Sequence, residues 1–187
     1  MKCAGFVLAG GRSSRMGSDK ALLPFRQGTL LQYVAAQVKA ATGNITLVGD
    51  PARYSNFGYL VIADIFVGCG PLAGIHSALH RSTAEWNLIV ACDMPEINVD
   101  FLRQLVERAQ GGTADAVIPE SEGLPQPLCA AYRRGAVHAI STALETGVRK
   151  VTSGLQQLQI DLWPVPESRY FHNLNTPHDW AAYSDER

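Results

Sequence analysis

The sequence predicts an α/β fold, a single three-layer α/β/α domain built around a mostly parallel, Rossmann-like central sheet. Short runs of apolar and β-branched residues alternate along the chain with segments whose apolar residues recur at helical spacing. The short runs are continuously apolar, which is typical of parallel strands buried on both faces. With 187 residues and no linker or internal repeat, the whole range 1–187 is predicted to form one domain.

Each predicted element depends on a local signal. The predicted strands are the apolar runs at residues 3–8, 45–48, 59–63, 86–92, 114–118 and 128–132. Between them, Thr29 can cap a helix that Gly43 ends, and Asn98 can cap a later helix. The pair Gly70-Pro71 begins another helix. Proline has no N–H, and a residue in the first turn of a helix does not need one for hydrogen bonding. One-sided apolar stripes support these helices and a last one: Leu31, Val34 and Val38; Leu72, Ile75 and Leu79; Leu102, Leu105, Val106 and Ala109; Val137, Ile140 and Leu144.

Composition limits the class of protein. Apolar residues make up 47% of the chain, charged residues 18%, and the formal net charge is −1. A general nucleic-acid or membrane-surface binder would need a cationic excess, so neither partner is expected. The chain has no apolar run near the roughly 20 residues of a membrane span. It also has no visible secretory signal and no C-x-x-C pair among its four cysteines. We expect a cytoplasmic protein whose reduced thiols pack as small apolar side chains.

The stretch LAGGRSSRMGSDK, residues 8–20, is the strongest candidate for binding an anion. It fits neither the P-loop pattern nor the G-x-G-x-x-G fingerprint of dinucleotide-binding folds. Gly10 and Gly11 can still expose backbone N–H groups to a phosphate, and Arg15 and Lys20 can neutralise a polyphosphate. The alternative is a surface turn with solvated cations.

Two aspartates should lie on the same rim as this loop, because ligands of parallel α/β sheets bind beyond the carboxyl ends of the strands. Asp93 follows the most apolar strand, and a carboxylate that faces a phosphate loop is placed to bind Mg²⁺ together with substrate phosphates. Asp64 follows the 59–63 strand and could bind a metal or a ribose. A helix or turn cap is the alternative for both aspartates.

Several motifs together resemble the molybdenum cofactor guanylyltransferase family. That family belongs to the nucleotidyltransferases with a Rossmann-like fold, of the nucleotide-diphospho-sugar transferase type. Besides residues 8–20, the resemblance rests on DIFVGCGPLAG (64–74), ACDMP (91–95), PQPLCAAY (125–132) and NLNTP (173–177). What the resemblance implies is a reaction. GMP passes from Mg-GTP to the terminal phosphate of molybdopterin, the guanine dinucleotide cofactor forms, and pyrophosphate is released.

The resemblance also implies roles for residues on the nucleotide side. The residues implied to contact guanine and ribose are Leu8, Ala9 and Gly10. Those implied to face the triphosphate are Gly11, Arg15 and Lys20. Asp64 would help to hold the nucleotide. Asp93 would bind Mg²⁺, the implied cofactor, and would act in catalysis with Arg15 and Lys20.

On the acceptor side, the resemblance implies roles for Asn173 and Asn175, of which Asn175 could reach the metal. Gln126 lies in what looks like an acceptor-facing loop and could donate a hydrogen bond to the pterin. A proline-stiffened hairpin connection explains that loop equally well. Because the acceptor is already an anionic phosphate, the transfer needs alignment and charge cancellation rather than a strong base. The scattered histidines are accordingly interpreted as packing or surface residues: His76, His80, His138, His172 and His178.

Gly10 favours GTP, because relatives that use CTP typically carry L-A-A-G where this chain has L-A-G-G. No guanine contact is assigned to Asp50, since relatives often place asparagine there. Three alternatives stay open: a molybdenum cofactor cytidylyltransferase, a nucleotidyltransferase for another small phosphate, and a non-catalytic nucleotide-binding accessory protein. Family membership also suggests other cofactor-assembly proteins and the recipient molybdoenzymes as protein partners.

Overall fold

The structure is a computed structural model, and it describes residues 3–10, 19–174 and 183. The strands in these ranges are β1 (Cys3–Ala9), β2 (Pro24–Phe25), β3 (Gly28–Thr29), β4 (Thr46–Gly49), β5 (Leu60–Ile62), β6 (Trp86–Ala91), β7 (Ala116–Ser121), β8 (Leu124–Pro125), β9 (Cys129–Arg133) and β10 (Ile160–Pro164). The α-helices there are α1 (Leu30–Thr42), α2 (Pro51–Tyr54), α3 (Pro71–Arg81), α4 (Val99–Gly111), α5 (Val137–Glu145) and α6 (Val151–Gly154). Short 3₁₀ turns occur at Lys20–Leu22, Ser55–Phe57, Arg134–Ala136 and Ser168–Phe171.

The central sheet has the strand order β10-β7-β9-β6-β1-β4-β5, and β8 pairs with β7 outside this order. The pairs β1–β4, β1–β6, β4–β5 and β10–β7 are parallel. Strand β9 is antiparallel to both of its neighbours, β6 and β7. The carboxyl ends of β1, β4, β5, β6, β7 and β10 therefore meet at one rim, where the amino end of β9 joins them.

Helices cover the sheet on both faces. On one face, α1 and α4 pack together and bury Leu31, Val34 and Val38 against β1, β4 and β6. On the other face, α3 and α5 pack together and bury Leu72 and Ile75 against the opposite side of the same strands. The predicted three-layer α/β/α class with a mostly parallel sheet is confirmed.

The predicted helix ends are also confirmed. Thr29 and Gln32 form a reciprocal capping box at the start of α1, and Gly43 ends the helix with a left-handed φ of 77°. Asn98 caps α4 by accepting a hydrogen bond from Phe101 N at 3.0 Å. These caps satisfy backbone groups that a helix end would otherwise leave unbonded.

Three features of the sheet differ from the sequence prediction. Strand β10 was not predicted, because it is a partly exposed edge strand that contains Asp161, which binds Arg108 at 2.8 Å, and ends at Pro164. The short β2–β3 hairpin was not predicted either. The reversed direction of β9 has no local signal in its apolar sequence.

Buried polar side chains fit the predicted packing roles. Cys3, Cys92 and Cys129 are buried and Cys69 is partly exposed, and none of the four forms a disulfide. The His76 ring lies edge-on to that of Phe66 at 4.9 Å, with only 4% of the residue exposed. Within the described part of the chain, no helix is long and apolar enough to cross a membrane.

Candidate active site

At the carboxyl end of β1 the side chains are buried, and the main chain is the part that a ligand could contact. Leu8 and Ala9 are 8% and 0% exposed, and their side chains pack into the two cores on opposite faces of the sheet. The Leu8 carbonyl oxygen accepts a hydrogen bond from Cys92 N at 3.2 Å, which ties the end of β6 to β1. Gly10 is exposed. Contacts from Leu8 and Ala9 to a base or ribose are therefore limited to backbone atoms.

Strand β4 approaches this end of β1 closely at Gly49. A Cβ on Gly49 would lie 2.0 Å from the Ala9 carbonyl oxygen and 2.9 Å from Tyr54 Cε2, so only glycine fits without a backbone shift. Asp50, the next residue, caps α2 by accepting a hydrogen bond from Ala52 N at 2.9 Å. The carboxylate at position 50 thus has a local structural role.

Lys20 begins the 3₁₀ turn Lys20–Leu22, and Asp19 caps that turn. Asp19 Oδ1 accepts a hydrogen bond from Ala21 N at 3.1 Å, and the Asp19 carbonyl oxygen accepts one from Leu22 N at 3.0 Å. The positive charge of Lys20 acts on Asp93, where it favours the ionised carboxylate. A cation from the glycine-rich stretch and the aspartate after β6 are therefore close enough for their charges to interact. Their roles in binding a nucleotide and a metal stay predictions.

Asp93 is half-buried just beyond the end of β6. Burial raises the pKa of its carboxyl above the usual value, and the charge of Lys20 opposes that rise. The Asp93 carbonyl oxygen accepts a hydrogen bond from Leu174 N at 3.1 Å. No group of three or more His, Cys, Asp or Glu side chains could hold a metal ion among the residues described. Mg²⁺ is usually bound by one or two carboxylates together with substrate phosphates, so a single carboxylate is compatible with the metal role predicted for Asp93.

Asp64 follows β5, and its side chain reaches helix α3. Asp64 Oδ1 lies 3.7 Å from the position of a Cβ built on Gly74, and that position is 3.1 Å from Leu8 Cδ2. Ser77 holds the adjoining loop, because its hydroxyl oxygen accepts a hydrogen bond from Ile65 N at 2.9 Å. Asp64 Oδ1 is buried without a hydrogen-bond partner among the described residues, and burial raises the pKa of this carboxyl. An unsatisfied buried oxygen of this kind is suited to accept a hydrogen bond from a ligand.

The loop that contains Gln126 is a hairpin connection. Glu122 and Gly123 have positive φ values of 53° and 73°, as in the type I′ turns that join antiparallel strands, and β8 then pairs with β7. Gln126 N donates to the Pro119 carbonyl oxygen at 2.8 Å, and Gln126 Nε2 donates to the Leu124 carbonyl oxygen at 3.2 Å. The hairpin interpretation is confirmed, and a role toward an acceptor stays a prediction.

The NLNTP segment begins at the same rim. Asn173 is exposed, and the next residue, Leu174, is buried and bonded to Asp93 as described above. The segment therefore starts beside the aspartate predicted to bind metal. Three further predicted site residues lie outside the described residues: Gly11, Arg15 and Asn175.

Sequence reasoning missed Asp19 and Tyr54. The Tyr54 hydroxyl donates a hydrogen bond to Asp19 Oδ2 at 2.7 Å, and Arg53 Nη1 lies 3.6 Å from the same oxygen. The capping role of Asp19 had a local signal, since aspartate commonly precedes the first turn of a helix. The contact with Tyr54 had none, because 35 positions separate the two residues.

A largely parallel sheet with the glycine-bearing end of β1, Lys20 and Asp93 at one rim is the arrangement in which α/β proteins bind ligands beyond the carboxyl ends of their strands. The family of MobA-like NTP transferase domains matches residues 5–160. A probable molybdenum cofactor guanylyltransferase of Pelotomaculum thermopropionicum is 33% identical, and the match covers 96% of this chain and 90% of the relative. The chain belongs to the family of MobA-like NTP transferases.

Solved structures agree with this placement. Molybdopterin-guanine dinucleotide biosynthesis protein A from Archaeoglobus fulgidus has a TM-score of 0.85 and 27% identity, over 98% of this chain and 97% of its own. A Mycobacterium tuberculosis protein solved in complex with manganese has a TM-score of 0.71 and 18% identity, over 100% of both chains. The second likeness shows the shared fold, and the structural neighbours support the predicted nucleotidyltransferase architecture.

Proposed function

We propose that the chain transfers GMP from Mg-GTP to the terminal phosphate of molybdopterin, forming the guanine dinucleotide cofactor and releasing pyrophosphate. The observation that carries the proposal is the position of half-buried Asp93, which follows β6 directly beyond Cys92, the residue whose N–H is bonded to the Leu8 carbonyl oxygen at the end of β1. The charge of Lys20 acts on this carboxylate. The names of the bacterial and archaeal relatives support GTP and molybdopterin as the substrates. In this proposal, residues 1–187 act as one nucleotidyltransferase domain.

The chemistry requires little covalent help from the protein. An acceptor phosphate oxygen attacks the α-phosphorus of GTP, the bond from that phosphorus to the bridging oxygen breaks, and pyrophosphate leaves. Because negative charge accumulates on the departing phosphates, the preorganised cation of Lys20 stabilises the transition state more than the bound substrate. Arg15 is proposed to contribute a second cation from the same stretch of sequence.

Asp93 is the residue proposed to hold Mg²⁺. Its carboxylate is partly desolvated, and a buried charge of this kind is stable only when it is paired or coordinates a metal. Asn175 is proposed to reach the same ion. When bound, the ion neutralises phosphate charge and aligns the triphosphate. The manganese complex of the fold relative supports a divalent ion in this fold.

Base selection is assigned to the main chain at the end of β1. A Cβ built on Gly10 would contact Gly49 Cα at 4.0 Å and nothing nearer among the described residues, so the backbone on this side is open. An open backbone leaves room for a purine and can bond to its edge. Asp64 is proposed to accept a hydrogen bond from the nucleoside, which would satisfy its buried Oδ1.

The acceptor is assigned to the side of Asp93 opposite the proposed nucleotide contacts. Gln126 and Asn173 lie at the carboxyl-end rim, in segments that adjoin β7 and the Asp93 loop. Both segments carry amides that can donate hydrogen bonds to a pterin or its phosphate. This assignment separates nucleotide contacts on β1, β4 and β5 from acceptor contacts on the other half of the sheet.

The proposal is tested by measuring pyrophosphate release from each of the four NTPs with Mg²⁺, with and without molybdopterin. We expect release that depends on molybdopterin and is fastest with GTP. Preference for CTP would indicate a cytidylyltransferase instead. Release that requires another phosphorylated acceptor would show that molybdopterin is not the acceptor. Nucleotide binding without any release would identify a non-catalytic accessory protein.

A further inference from the structure

The turn that carries Lys20 is held by a chain of contacts from outside its own segment. Asp19 uses one carboxylate oxygen, Oδ1, to cap the turn through Ala21 N at 3.1 Å. Its other oxygen, Oδ2, accepts a hydrogen bond from the Tyr54 hydroxyl at 2.7 Å. Both oxygens of this carboxylate are therefore engaged, one by the turn and one by helix α2.

Tyr54 is itself fixed by the strands that end at the rim. Only 2% of Tyr54 is exposed, and its ring edge lies so close to Gly49 that a Cβ there would be 2.9 Å from Cε2. Gly49 in turn packs against the Ala9 carbonyl oxygen. The Tyr54 hydroxyl is thus connected through its own ring to the β1–β4 pair.

The hydroxyl is a permanent donor. Burial, and then the hydrogen bond to Asp19, raise the pKa of Tyr54 above its usual value, so it stays protonated at any working pH. Arg53 adds a weaker contact at 3.6 Å from an exposed side chain. Tyr54 is therefore the principal fixed partner of Asp19 on this side.

We propose that Tyr54 is a positioning residue, which acts through Asp19 to hold the Lys20 turn so that its ammonium group faces the nucleotide phosphates. The inference rests on the proposed nucleotide-binding function but not on the identity of the base or the acceptor. It links the end of β4, near the proposed base site, to the cation at the phosphates. Removing the hydroxyl should loosen the turn without disturbing the ring.

The test compares Tyr54→Phe in two backgrounds, wild type and Lys20→Ala. Affinity for each Mg-NTP is measured by calorimetry without an acceptor, and pyrophosphate release and the melting temperature are measured in parallel. In the wild-type background we expect Tyr54→Phe to weaken nucleotide binding about five- to tenfold. This is less than the full loss of a hydrogen bond to a charged group, because Asp19 keeps its bond to Ala21 N. In the Lys20→Ala background the same change should weaken it less than about twofold, because the positioned group is gone.

Tyr33→Phe is the matched control, since its hydroxyl donates to the Ile97 carbonyl oxygen at 3.2 Å and not to the Lys20 turn. That variant should leave nucleotide affinity unchanged. Equal losses in both backgrounds, or unchanged affinity for Tyr54→Phe in a folded protein, would overturn the positioning role. A wild-type chain that binds none of the four nucleotides would overturn the proposed function as well, whereas binding of another base would overturn only the choice of GTP.

Discussion

Asp93 and Asp64 occupy equivalent positions, each just beyond the carboxyl end of a parallel strand. Burial raises the pKa of both carboxyls. They differ in what surrounds them. Asp93 lies in the field of Lys20, whereas Asp64 Oδ1 is buried without a hydrogen-bond partner among the described residues. The difference indicates that the cost of ionising Asp93 in its buried position is partly offset by a cation before any ligand arrives. Asp64 carries a cost in the free chain that a ligand donor would remove.

The largest effect is expected for Asp93→Asn, which keeps the side-chain shape but removes the charge proposed to hold Mg²⁺. We expect pyrophosphate release to fall on the order of 10²-fold or more, as when one preorganised charge contact with the transition state is deleted. The melting temperature should stay near that of the wild type. Near-normal turnover would show that Asp93 does not hold the metal ion. The proposed functional difference between Asp93 and Asp64 would then be wrong.

Lys20→Ala should have the next largest effect, because the charge it opposes grows on the departing phosphates. We expect kcat and nucleotide affinity to fall together, with kcat/KM reduced by about tenfold to 10²-fold. Lys39→Ala is the control, since Lys39 is an exposed lysine on α1 away from the rim. A fall in stability with unchanged kinetics would show that Lys20 serves the fold alone.

Asp64→Asn should show opposite effects on binding and stability. We expect nucleotide affinity to fall about tenfold, because the charged acceptor for a ligand donor is lost. The free protein should be more stable than the wild type at neutral pH, by about 1 kcal/mol, since a buried carboxylate no longer has to ionise. Reduced stability together with unchanged affinity would identify Asp64 as a structural cap.

The sign of that stability change depends on pH. Because the pKa of Asp64 is raised in the folded state, the native protein binds the proton more tightly than the unfolded chain does. The contribution of Asp64 to wild-type stability therefore declines as pH rises from the unfolded pKa, 3.8, through the higher native pKa. Denaturant unfolding from pH 3 to pH 8, the range that spans these values, should show the Asp64→Asn advantage appearing only on the alkaline side.

The smallest effect is expected for Gln126→Ala, which lies on the proposed acceptor side and leaves both aspartates in place. We expect KM for molybdopterin to rise about threefold, because one partly exposed hydrogen bond is lost, while nucleotide affinity stays constant. Steady-state kinetics with the acceptor varied at saturating GTP would measure it. An equal change in nucleotide affinity would show that the two sides of the site are not separate.

The parts of the molecule that were predictable from sequence carry local signals. Thr29, Gly43 and Asn98 act at helix ends within four residues of the groups they bond, so their roles can be deduced from neighbours alone. The apolar strand before Asp93 likewise placed that carboxylate at the carboxyl-end rim. The same rule for parallel sheets predicted that Asp93 and the stretch that contains Lys20 share this rim.

The parts that escaped prediction depend on contacts distant in sequence. Nothing near Asp19 identifies Tyr54 as its partner, and nothing in the apolar segment 129–133 reveals that β9 runs against its neighbours. Burial of the predicted strand 3–8, including Leu8, was expected, but its extension to the Ala9 side chain was not. It follows from the central place of β1 between β4 and β6, which leaves neither face of its last residues open.

The reversed strand β9 has one consequence for how such a protein can diversify. Because β9 enters the sheet from the rim, the chain must cross that rim between Ser121 and Cys129, and it does so as a surface hairpin. Insertions there would lengthen a solvent-facing connection without altering the register of β1, β4 and β6. Under the proposed assignment of the acceptor to this side, sequence changes confined to the hairpin would alter the choice of acceptor and leave the nucleotide contacts unchanged.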